Sequence, residues 1–206
     1  MSADMKDIFD LYREEQDEIN KRFPSTKPGI NRESSHLTYG VHEISWPGAE
    51  MSAHQVTLCM NFFALAAKKY SGALTLISPD NPTLDREYWC ENSVMPGRLI
   101  SVGSAPRKVP LLAEKICLEA QEGLIGVIPR ISFPYSILRK IRDGIFDKNV
   151  SVVFIRPSAQ SSPAHQSLFA SRWSLKAGIA TNEDTAGCYL SLRSEHSQDI
   201  RLAMPS

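Results

Sequence analysis

A chain of 206 residues, 42% hydrophobic and 22% charged, can bury a core without metals or disulfides and is too apolar for wholesale disorder. Its 23 basic and 23 acidic side chains cancel, which argues against a general nucleic-acid coat. No apolar run approaches the ~20 residues of a membrane helix, and acidic Asp4 and Asp7 stand where a secretory signal carries bases. A cytoplasmic protein with no membrane partner is therefore expected. The charge is unevenly spread. Residues 1–95 hold 9 Lys/Arg against 14 Asp/Glu, and residues 96–206 hold 14 against 9. That polarity permits a local anion site in the second half.

In chain order, residues 1–23 read as an amphipathic helix. Met5, Ile8, Phe9, Tyr12, Ile19 and Phe23 recur at helical spacing, Asp4 and Asp7 favour the helix dipole, and Pro24 stops it. A helix with so thin a stripe needs a surface to lie on, either its own domain or a protein partner. Residues 24–50 are rich in Pro, Ser, Gly and Asn and read as a linker running into an extended segment over 36–46, with Leu37, Tyr39, Val41 and Ile44 in partial alternation. Residues 51–206 then form a single α/β domain. It begins with a core helix over 52–71, opened by the Ser52/Gln55 capping box and closed by Gly72, and a strand over 73–78.

The strongest organisation lies in the middle. Apolar runs at 98–102, 124–128 and 150–155 alternate with helical patterns at 110–121 and 134–146. Pro110 opens the first of these helices, and Gly123 follows its end. Runs that are apolar without alternation suit strands buried on both faces. The spacing predicts a parallel βαβαβ core over about 98–156 with right-handed crossovers, inside a central mixed sheet. Segments 168–175, 188–193 and 200–203 read as strands, of which the later ones are expected to be antiparallel or at an edge. Cys59, Cys90, Cys117 and Cys188 show no paired spacing and are expected to stay reduced.

Parallel strands bind ligands beyond their carboxyl ends. If the three core strands run together, Arg107, Lys108, Arg130 and Arg156 meet at one rim, with Ser104 and Ser132 beside them. Such a set suits phosphate or carboxylate; the alternative is a set of solvated loop charges. The loops lack the glycine patterns of nucleotide and dinucleotide folds, and no cofactor is implied.

Two further stretches, His36-Leu37-Thr38-Tyr39 and His165-Gln166-Ser167-Leu168, share the order histidine, any residue, hydroxyl, apolar. The pair resembles the twin motif of the two-histidine phosphoesterase superfamily. That resemblance implies His36 and His165 as acid and base on a phosphodiester, with Thr38 and Ser167 holding phosphate oxygens; the other reading is two surface histidines. No serine elbow, phosphatase loop or metal-ligand spacing is present. The sequence thus favours a non-enzymatic binding or adaptor protein that uses its N-terminal helix on a protein partner and a strand-end site on a phosphate-bearing ligand. Nucleic acid is not favoured, and an enzyme acting on a phosphate-bearing substrate is the alternative.

Overall fold

The computed structural model describes residues 10–14, 17–18, 21, 39–46, 63, 74–79, 99–160, 163–177, 188–192 and 201–203. The strands are β1 (Gly40–Trp46), β2 (Leu74–Ser78), β3 (Leu99–Gly103), β4 (Glu122–Val127), β5 (Asn149–Pro157), β6 (Ser171–Ala177), β7 (Cys188–Leu192) and β8 (Arg201–Ala203). The helices are α1 (Val109–Glu119), α2 (Tyr135–Gly144) and the single turn α3 (Pro163–Gln166). The strands form one sheet in the order β3-β2-β4-β5-β1-β6-β7-β8. The first six in that order are all parallel. The pairings of β6 with β7 and of β7 with β8 are antiparallel. The protein is therefore of α/β class, built on a six-stranded parallel sheet with helices. No helix among the described residues is long and apolar enough to cross a membrane.

The middle strands are apolar throughout because both faces are covered. Every residue of β2 is buried, as is all of β5 after Asn149. On one face, α1 and α2 bring Leu112, Ile116, Leu138 and Ile141 against Val41, Ile77, Ile125, Val127 and Val152. On the other face lies Phe63, from the connection between β1 and β2. A Cβ at Gly126 would stand 3.0 Å from both Phe63 and Leu76. Glycine is what allows that ring to rest directly on the strand.

Four sequence expectations need correction. The linker assignment over 24–50 placed residues 40–46 outside the domain, yet β1 is paired on both sides, to β5 and to β6. Composition misled because the polar residues of β1, His42, Glu43 and Ser45, interrupt the apolar run that marks a buried strand. The first and second strands of the βαβαβ unit are not neighbours, since β2 sits between β3 and β4. The crossover through α1 therefore skips one strand. Gly123 is not the stop of α1. The helix ends at Ala120, which is extended (ψ 137°), and Gly123 takes its positive φ of 125° inside β4. Finally, the strand expected at 168–175 begins at Ser171; His165 lies in α3 and Leu168 joins the core.

The described part of the N-terminal helix does not stand away from the domain. Tyr12 is only 3% exposed, within the main core cluster, and Arg13 lies 3.8 Å from Glu119 of α1. Burial holds the Tyr12 phenol in its protonated form, raising it to about 12, against a lowering hydrogen bond with Thr75 of β2. Cys117 is a free, buried thiol whose pKa burial also raises. The expected helix over 52–71 lies outside the described residues except at Phe63.

Candidate functional site

A parallel sheet puts all carboxyl ends on one rim. Phe63, from the connection after β1, lies on one face, whereas Leu168, from the connection after β5, lies in the core on the face of α1 and α2. Adjacent strands whose chains part to opposite faces open a crevice between their carboxyl ends. In this chain the rule points to the carboxyl ends of β1 and β5.

The side chains there are polar and buried. Glu43 of β1 and Arg156 of β5 both have 0% exposed side chains. Arg156 gives Glu43 Oε1 a two-pronged contact, with Nη2 at 2.8 Å and Nε at 2.9 Å. Arg172 of β6 is the register partner of Glu43 and donates its Nε to Oε2 at 2.9 Å, while 38% of its side chain meets solvent. Neighbouring parallel positions point to the same face, so the sheet itself aims these groups at one another. Burial pulls Arg156 below its ordinary value; Glu43 opposes that shift and Arg172 adds to it. A guanidinium stays protonated all the same. Among the described residues, two guanidiniums thus meet on the one carboxylate of Glu43.

Aromatic groups frame it. The Arg156 guanidinium lies 5.3 Å from the centroid of Phe169, which packs edge-on against Phe154, itself edge-on to Phe133. His165 is 6% exposed and stacks on Tyr135 at the start of α2, with ring centroids 6.0 Å apart and planes 15° from parallel. Its pKa falls below 6.5, first through burial and then through Arg156. Glu43 and a hydrogen bond to the backbone of Gln160 act the other way.

On the opposite face of β1, buried His42 places Nδ1 2.7 Å from Ser171 Oγ, and Trp173 Nε1 donates to that same oxygen at 3.0 Å. Ser45 donates to the Trp173 carbonyl at 3.3 Å. These bonds tie β1 to β6 and satisfy polar groups that the sheet would otherwise strand in its interior.

The anticipated basic rim is thus divided. Arg107 is exposed, Lys108 and Ser104 are half-buried, and all three follow β3. At about 4.8 Å per strand, β3 stands roughly 14 Å from β5 and roughly 24 Å from β6, too far for one small anion to bridge. Arg130 and Ser132 are exposed on the loop after β4, next to β5. Arg156 faces inward to Glu43. Of the twin motif, His36 and Thr38 lie outside the described residues, His165 is buried beside Arg156, and Ser167 donates its hydroxyl to the Ala164 carbonyl at 3.0 Å. No group of three or more His, Cys, Asp or Glu arranged to hold a metal occurs among the described residues.

Glu43, Arg172 and Tyr135 were missed from sequence. The available signal was charge inside apolar strand patterns, since a Glu or Arg buried in a sheet requires a partner. The pairing itself joins positions 113 and 129 residues apart.

A doubly covered parallel α/β sheet with a charged cluster at the point where its chains diverge describes the class of this protein. No protein-family model matches the chain, and no curated protein matches it. Among solved structures, it is similar to a KaiC-like protein from the hyperthermophilic archaeon Pyrococcus horikoshii. That similarity has a TM-score of 0.43 and 12% identity, and covers 80% of this chain and 83% of the other.

Proposed function

We propose that the protein is a non-enzymatic binding protein that takes an anionic ligand, a phosphate or carboxylate, at the strand ends above β5, β1 and β6. One observation carries this reading: the Arg172 guanidinium is held at the strand ends by Glu43, beside Arg156, with 38% of its side chain open to solvent. A guanidinium fixed in place and partly open to solvent suits an anion, whose oxygens its fork matches geometrically. Exposed Arg130 and Ser132 extend the same rim from the neighbouring loop. In an adaptor role, the N-terminal helix meets a protein partner while seated on the domain through Tyr12, offering exposed Leu11 outward.

Titration of the full chain with inorganic phosphate tests the ligand reading. Arg172→Ala removes charge-assisted bonds worth about 1.5–3 kcal/mol, roughly a tenfold or larger rise in Kd. Arg107→Ala leaves binding unchanged. Equal loss in both variants points to diffuse surface charge and against a site at β5, β1 and β6.

An enzyme on a phosphate-bearing substrate is the second reading. It is supported by His165, an imidazole kept neutral near pH 7 beside a cation that suits phosphate. Turnover of a phosphodiester that is lost in His165→Ala, with phosphate binding retained, would favour it.

A further inference from the structure

We infer that the protein partner of the N-terminal helix is a second copy of this chain, docked head to tail. The inference rests on the adaptor reading and names its partner. The described residues of that helix share one face of the sheet with α1 and α2. On α1, Glu114 meets Lys140 of α2 and Glu119 meets Arg13 of the N-terminal helix. Five residues turn a helix by about 140°, so these two neighbours flank α1 on opposite sides. Tyr12 enters the core, and the residues before and after it fall to either side. Arg13 faces α1, and Leu11, 63% exposed, faces away. On α2, Lys140 faces α1, so Arg142 falls to the far flank. Phe146, four residues further on, is 84% exposed.

The two outer flanks are opposite in charge. The described residues of the N-terminal helix expose Asp10, Glu14, Asp17 and Glu18 against Arg13 and Lys21. By contrast, α2 carries Arg139, Lys140 and Arg142 against Asp143. Within one chain α1 stands between the two flanks, so they meet only between copies. Complementary charge orients such an encounter, and exposed apolar side chains of this size supply its buried centre. A contact that joins two different surfaces is heterologous and builds a ring or an open chain of copies.

Sedimentation of the full chain over a range of concentrations tests it. Wild type is expected to form species larger than a dimer. Leu11→Ser and Phe146→Ser each spoil one flank, raise the dissociation constant about thirtyfold, and leave the Tm unchanged. Mixed together, the two variants are expected to form a one-to-one dimer, because each retains the flank that the other has lost. Arg139→Glu with Arg142→Glu abolishes assembly, and mixing that chain with one carrying Glu14→Arg and Asp17→Arg restores it. Assembly is also expected to weaken from about 0.01 M to about 1 M salt, as the screening length falls from ~30 Å to ~3 Å. Mixed Leu11→Ser and Phe146→Ser chains that stay monomeric, or either variant that assembles alone as wild type does, overturn the head-to-tail contact. A wild type that is monomeric throughout overturns the second copy as partner. A complex with another protein that Leu11→Ser abolishes would then keep the adaptor reading, and its absence would remove that reading as well.

Discussion

On one side of the sheet, β3, β2 and β4 bury Ile100, Ile77 and Ile125 beneath α1 and α2. On the other, β5, β1 and β6 run at the same spacing and in the same direction, yet they bury Glu43, Arg156, His42 and Ser151 as well. Apolar burial in the first region is non-directional, so it tolerates volume-conserving change. In the second, each buried charge depends on a particular partner, so removing one group leaves another uncompensated. The polar region is the proposed ligand rim, where stability is expected to be traded for function.

The sharpest way to break this comparison is Glu43→Ala. It leaves two guanidiniums facing each other and is expected to cost about 3–5 kcal/mol in urea unfolding. Replacing Glu43 and Arg156 together by Leu and Met is expected to recover most of that loss. A Glu43→Ala loss below about 1 kcal/mol would mean that the cluster is solvated like a surface ion pair.

Leu112→Ala in α1 serves as the apolar counterpart. It is expected to cost about 2–5 kcal/mol by opening a cavity, with no effect on phosphate binding. A change in Kd there would erase the division between the regions.

The two regions should also differ in pH dependence. His165 has a lowered pKa in the folded protein, so the unfolded chain binds its proton more readily. Its contribution is complete above pH 6.5 and is lost as pH falls through the depressed folded value. His165→Phe flattens that part of the acid limb. Tyr12 behaves oppositely at the alkaline end. Its folded value of about 12 exceeds the ordinary 10.0, so its contribution is complete below pH 10 and is lost as pH rises toward 12. Tyr12→Phe removes that loss and costs about 1 kcal/mol at pH 7. Deleting residues 1–23 is expected to lower the Tm of the domain, because Tyr12 is a core residue; an unchanged Tm would detach the helix from it.

The smallest effect belongs to the exposed pair of Lys140 and Glu114, at 3.0 Å between α2 and α1. Lys140→Ala is expected to change stability by no more than about 1 kcal/mol.

Of the fold, the sequence alone determined those elements whose local pattern matched their surroundings. The runs at 124–128 and 150–155 became β4 and β5, Pro110 opened α1, and the strands of the βαβαβ unit run the same way, as their crossovers require. Only the tertiary structure decided that β1 lies at the centre, that β2 separates β3 from β4, and that Arg156 turns inward to Glu43 while Arg107 and Lys108 lie strands away. Local propensity and hydrophobic period act over a few residues, whereas strand order and the meeting of Glu43 with Arg156 and Arg172 depend on contacts more than a hundred residues apart. Such pairings form only when the whole sheet closes, and they leave in each separate segment no more trace than a charge where an apolar residue was expected.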